Sequence, residues 1–122
     1  MIQDRPKVYV VNQAGHDFSA AERYGDIVFL SRGTQNKFAV GGMYRSFAEI
    51  LEHSKPDDYL LTTGLTNMNV IAGAMLAYKH GKLNILLYKS SRYIERRIVI
   101  SELLSCSHVM DQNFDLTKEE SE

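Results

Sequence analysis

Five short apolar runs are spaced along the chain, and between them the hydrophobic positions change period. Lys7–Asn12 (KVYVVN), Ile27–Ser31 (IVFLS) and Tyr59–Thr63 (YLLTT) are continuous, β-branched or aromatic stretches, the pattern of strands buried on both faces. Leu83–Lys89 (LNILLYK) and Tyr93–Ile100 (YIERRIVI) are separated by Ser90-Ser91-Arg92, which predicts an antiparallel hairpin. From Met43 to His53 the apolar residues Tyr44, Phe47, Ile50 and Leu51 recur at helical spacing, while Arg45, Glu49 and Glu52 fall on the wet side. Pro56 closes that helix, because proline disfavours helical backbone in the residue before it. A second helix is predicted over Asn67–His80, ended by Gly81. Its apolar stripe is Met68, Ile71, Met75 and Tyr78, and Gly73, Ala74 and Ala77 beside it let a helix lie close to a sheet.

Ser19–Tyr24 has room for about one and a half helical turns, with Asp17 or Ser19 as the N-cap and Gly25 as the stop. Ser31–Gly42 (SRGTQNKFAVGG) has no clear period and reads as a long loop, and a final helical turn or two is predicted over Ser101–Ser107. The order β-α-β-α-β-α-β-β predicts an α/β fold: a small Rossmann-like or flavodoxin-like three-layer sandwich, its sheet mostly parallel with a C-terminal antiparallel hairpin. One domain is expected over residues 1–110, followed by an acidic, flexible tail over 111–122.

Composition narrows the function classes. The chain has 122 residues, of which 44% are apolar and 24% charged, with a formal charge of −1. A duplex-DNA binder normally carries a basic excess, so a polynucleotide partner is not expected. No apolar run approaches the roughly 18 to 20 residues of a membrane span, and the N-terminal MIQDRPK lacks the pattern of a signal peptide. The single cysteine, Cys106, excludes an intramolecular disulfide framework and fits a reducing cytosol. It reads as a small buried hydrophobe. Charge is uneven: Asp115–Glu122 holds four acids and one lysine, whereas Lys89–Arg97 holds four bases and one acid. The basic stretch favours an anionic small molecule.

In open parallel sheets, ligands bind beyond the carboxyl ends of the strands, near the point where strand order reverses. The residues placed there are polar: Asn12, Gly15, His16 and Asp17 after the first strand, then Ser31 and Arg32 after the second. Thr63, Gly64, Thr66 and Asn67 follow the third, and Lys89 and Arg92 flank the hairpin turn. If these connectors share one rim, they surround an anion with hydroxyls, amides, cations and helix N-termini. Gly64 would allow a tight turn, Thr66 or Asn67 would cap the following helix, and His16 or Asp17 would serve as acid, base or ribose contact. His53 and His80 read as helix C-terminal residues, and His108 receives no role. Neither a Walker loop nor a GxGxxG motif is present, and there is no HxxxH, HExxH or CxxC spacing. No cofactor and no metal are expected. Arg96 and Arg97 alternate on their strand, so one joins Ile94 and Ile98 while the other joins Tyr93, Glu95 and Val99.

The combination VYVVNQAGHDFSAAERYGDIVFLSRGT, PDDYLLTTGL, KHGKLNILLYK and YIERRI resembles small proteins of phage genomes over about residues 7–100. In size, polar loops and expected association, the chain is also similar to phage sponges, which sequester nucleotide-derived immune signals such as cyclic ADP-ribose isomers or cyclic dinucleotides. That resemblance implies a protein of the host cytosol that binds a nucleotide-like small molecule without turnover. Two other readings stand beside it: an enzyme acting on a nucleotide or N-glycoside through His16 and Asp17, and a protein-interaction or assembly module. A homo-oligomer is expected, because the edge hairpin would otherwise leave Tyr93, Ile94, Ile98 and Ile100 partly uncovered.

Overall fold

The computed structural model describes residues 4–36 and 38–105, so Cys106, His108 and the acidic tail lie outside the described residues. The strands are β1 (Lys7–Val10), β2 (Asp26–Phe29), β3 (Tyr59–Leu61), β4 (Lys82–Lys89) and β5 (Arg92–Val99). They form one sheet in the order β2-β1-β3-β4-β5. The first four are parallel and β5 runs antiparallel to β4. A 3-10 helix (Ser19–Arg23) joins β1 to β2, α1 (Val40–Leu51) joins β2 to β3, α2 (Thr66–His80) joins β3 to β4, and α3 (Ile100–Ser105) follows β5. The expectation of a small α/β fold with a mostly parallel sheet and a C-terminal hairpin is met. Among the described residues no helix is long and apolar enough to cross a membrane.

Strand order explains which face each connection covers. From β1 the chain steps sideways to β2, then returns past β1 to β3 and on to β4. Crossovers of one hand must switch faces when the direction of travel reverses. Accordingly α1 and α2 share one face, where Met43, Phe47, Leu51, Met68, Ala72 and Leu76 pack on Tyr9, Val11, Leu30 and Leu60. The opposite face carries Val8, Val10, Leu61 and Leu86 and is covered by Ala21 of the 3-10 helix with partly buried Phe18, Tyr24, Phe29, Tyr59 and Tyr93. The hairpin reaches back toward the 3-10 helix here: the Tyr24 hydroxyl donates to the Tyr93 carbonyl at 3.0 Å, and the Tyr24 and Tyr59 rings meet edge-on at 5.6 Å.

Several boundaries differ from the sequence reading. The helix expected to open at Met43 starts at Val40, taking Gly41 and Gly42 into its first turn and shortening the preceding loop. Tyr44 is 47% exposed and Tyr78 is 93% exposed, so neither belongs to the core stripes in which periodicity placed it. Met43, Ala72 and Leu76 fill those places, each about one helical turn from another buried residue. Gly73 does sit close to the sheet, since a Cβ there would come within 3.3 Å of Leu83 Cδ2. Gly25 stops nothing by left-handed backbone; a Cβ at this position would lie 2.2 Å from the Pro6 carbonyl oxygen. The hairpin turn contains only Ser90 and Ser91, with φ of 53° and 69°, the paired positive values of a type I′ turn.

The N-terminal end of the sheet is closed by buried polar staples. Asp58 accepts the backbone N–H of Lys7 at 2.9 Å and of Lys55 at 2.8 Å. Asn84 donates to the carbonyls of Pro56 and Asp58 at 3.0 and 3.1 Å. Ser54 Oγ lies 2.7 Å from the Leu51 carbonyl and 2.8 Å from His80 Nε2. Such bonds satisfy groups that would be costly to bury unpaired.

Candidate functional site

β1 and β3 are neighbours, yet the chain leaves β1 toward the 3-10 helix on one face and leaves β3 toward α2 on the other. The connections diverge at the carboxyl ends of these two strands, and a crevice opens between them. It takes the form of two depressions rather than one rim. The first, of about 430 Å³, is lined by His16, Asp17 and Phe18 from the β1 connector, Leu61, Thr62, Thr63 and Gly64 from β3 and its connector, and Tyr88 and Tyr93 from the hairpin. The second, of about 310 Å³, lies against α2 and is lined by Asn12, Ala14, Gly33, Thr34, Gln35, Leu65 and Met68.

Aromatic side chains dominate the first depression. The His16 and Phe18 rings are 6.1 Å apart, Phe18 continues to Phe29 at 6.0 Å, and Tyr88 meets Tyr93 edge-on at 5.3 Å. Burial, and then the neighbouring Tyr88, push the Tyr93 phenol above its usual pKa, so it remains an O–H donor at neutral pH. Asp17 Oδ1 accepts the Ser19 N–H at 2.9 Å. That backbone bond holds the Asp17 carboxyl below its usual range, fixing an ionised acceptor at the mouth. Among the described residues, no lysine or arginine lines it. The wall therefore offers flat apolar surfaces, hydroxyls and one carboxylate.

Of the residues singled out from sequence, His16, Asp17, Thr63 and Gly64 come together in the first depression, and Asn12 lines the second. Asn12 and Ser31 act as a structural clip. Asn12 Nδ2 donates to the Gly33 carbonyl at 2.8 Å, while Ser31 Oγ lies 2.6 Å from the Val11 carbonyl and 2.8 Å from Asn12 Oδ1. The Arg32 guanidinium donates to the Gln13 side-chain oxygen and lies 5.8 Å from the centre of the Phe29 ring. Gly15 has φ +90°, which favours glycine, whereas Gly64 has no such strain and simply leaves open space. Thr66 and Asn67 form the first turn of α2, but the N-cap is Leu65 and makes no side-chain cap bond. Thr63 supplies the polar contact instead, its hydroxyl accepting the Leu65 N–H at 3.2 Å and Asn69 Nδ2 at 2.9 Å.

Lys89 and Arg92 pair across the end of the hairpin, one step from Tyr88 and Tyr93, which also pair. Successive strand residues point to opposite faces, so the two cations project away from the face that holds the tyrosines. The residues missed from sequence are Phe18, Leu61, Tyr88 and Tyr93. For the two tyrosines a signal existed: a tight hairpin pairs them directly and places both on one face.

Residues 6–100 match the family described as phage Pam3 gp32-like protein, and the chain belongs to that family. This bears out the resemblance to small phage proteins. No curated protein and no solved structure matches the chain.

Proposed function

We propose that this member of the phage Pam3 gp32-like family binds a nucleotide-derived small molecule in the first depression and holds it without turnover. The observation that carries the reading is the crevice at the β1–β3 switch point, walled by His16, Phe18, Tyr88 and Tyr93 with Thr62, Thr63 and Asp17 between them. Through β4 the strand order is that of a flavodoxin-like sheet, in which ligands occupy this crevice. A base stacks between aromatic side chains, and each such contact contributes about 1–3 kcal/mol. Asp17 accepts from a sugar hydroxyl, and the threonine hydroxyls and exposed backbone at Gly64 serve a phosphate or a second hydroxyl. The lack of a cation among the described lining residues favours a ligand with one or two phosphates shared with solvent over a triphosphate. In a phage protein this chemistry suits sequestration of a host signal.

Native mass spectrometry of protein purified from cells that produce such signals tests the reading. A retained nucleotide-sized mass, released unchanged on denaturation, is the expected result. In titrations with a panel of cyclic and linear nucleotides, Tyr93→Ala and Tyr88→Ala should each weaken binding by about tenfold or more. Arg92→Ala should change it by less than about threefold, because an exposed charge on the far face contributes little. Binding lost on Arg92→Ala and untouched by Tyr93→Ala, or absence of binding across the panel, overturns the proposal. Conversion of the nucleotide, abolished by His16→Ala, would transfer the site to the enzymatic reading.

A further inference from the structure

We propose that the outer edge of β5 pairs antiparallel with the same edge of a second copy of this chain, in the register centred on Arg96. A two-residue hairpin closes on a hydrogen-bonded pair, here Lys89 and Arg92. From that pair onward, Arg92, Ile94, Arg96 and Ile98 direct their backbone groups at β4, and Tyr93, Glu95, Arg97 and Val99 direct theirs outward. Two contacts agree with this phase. The Tyr93 carbonyl accepts the Tyr24 hydroxyl at 3.0 Å, and the Glu95 carbonyl accepts Arg96 NH1 at 2.8 Å, both side-chain donors on carbonyls that β4 does not reach.

The sequence of β5 selects a single two-fold register. Side chains paired across a continuous sheet share a face, so odd positions must meet odd positions and even must meet even. Centred on Glu95, two carboxylates oppose each other and Ile94 faces Arg96. Centred on Arg97, two guanidiniums meet, Glu95 faces Val99 and Arg96 faces Ile98. Centred on Arg96, Glu95 faces Arg97 of the second copy, and the symmetry repeats that ion pair. Ile94 likewise faces Ile98 twice. The phase of the outward groups then supplies four central backbone hydrogen bonds, two between each Glu95 and the opposing Arg97.

The side chains are placed for this contact. Glu95, Arg96 and Arg97 are exposed, and Ile98, which pairs with Leu83 of β4, is 37% exposed on the α2 side of the edge. Tyr59 donates to Glu95 Oε2 at 3.1 Å, which leaves the other carboxylate oxygen for a guanidinium. The Tyr24 hydroxyl at Tyr93 and Glu102 of α3 near Val99 mark the two ends of the edge left open among the described residues, so pairing centres on residues 94–98. The occupant is a second copy because Glu-x-Arg along an outward-facing edge reads as its own complement under a two-fold axis. The single unfavourable contact is Arg96 with its own copy on that axis.

Sedimentation velocity over a concentration series tests the interface. The chain should show a monomer–dimer equilibrium. Glu95→Arg and Arg97→Glu should each weaken it by about tenfold or more, and the double reversal Glu95→Arg with Arg97→Glu should restore it. Circular dichroism of each variant separates loss of pairing from loss of fold. In a Cys106→Ser background, Arg96→Cys should form a disulfide-linked dimer on mild oxidation, since non-hydrogen-bonded partners have Cα atoms roughly 4.5 Å apart. Ile94→Cys should not, because its partner is Ile98. A chain that stays monomeric, a dimer unmoved by either reversal, or cross-linking at residue 94 and not at 96 overturns the proposal.

Discussion

The two faces of the sheet are built on different principles. One is sealed by α1 and α2, whose buried side chains interdigitate with Tyr9, Val11, Leu30 and Leu60. Among the described residues, the other has only the five-residue 3-10 helix and a set of aromatic side chains over it, with the hairpin drawn back toward them. The sealed face carries the interior packing, while the aromatic face keeps side chains half-covered and available at its upper end. An open depression lined by rings is what remains when a sheet face receives too little helix to cover it.

The largest expected effects separate the faces. Phe47 is fully buried between α1 and the sheet, so Phe47→Ala should cost about 3–5 kcal/mol in denaturant unfolding. Tyr93 is only partly buried, and Tyr93→Ala should cost roughly 1–2 kcal/mol while removing a wall of the depression. Equal costs would erase the distinction, and would mean that the aromatic face is as tightly packed as the helical one.

The helical face was also the more legible one. Continuous apolar runs mark buried strands and a 3.6-residue period marks helices, so the element order followed from local pattern. Tyr44 and Tyr78 escape the helical pattern because an aromatic at that spacing looks the same on the edge of a stripe as in its centre. Strand order has no local signal, and it decides that the connectors after β1 and β3 part to opposite faces. Hence Asn12 and His16, four residues apart, line different depressions. Chain order alone puts Lys89 and Arg92 on the rim, whereas alternation along the hairpin turns them from the tyrosines beside them.

The next effect concerns how the 3-10 helix is held over the aromatic face. Gly25 follows that helix and lies against the Pro6 carbonyl, which also accepts the Asp26 N–H at 2.9 Å. Gly25→Ala would force Cβ into a backbone atom that cannot rotate away. The substitution should cost about 2–3 kcal/mol, and it should loosen the aromatic face first. Hydrogen exchange offers the measurement: protection should fall at Ala21 and Val28 before it falls at Phe47. Uniform loss across both faces would mean that they unfold as one unit.

The smallest effect tests how well the helical face is sealed at its lower end. His80 closes α2 beside Ser54, and burial, followed by the charge of Lys79, lowers its pKa below the ordinary histidine value of 6.5. In the unfolded chain the ring returns to that ordinary value, so near and below pH 6.5 the unfolded state binds more protons than the folded one. Stability should therefore decline as pH falls from 7 through the unfolded value, and the penalty is complete only below the lowered folded value. His80→Gln keeps a polar group beside Ser54 and removes the titration, so its unfolding midpoint should vary less between pH 7 and pH 5 than that of the parent chain. Identical slopes for the two proteins would show that His80 is as wet as the residues around the aromatic depression, and that the helical face is open at this end.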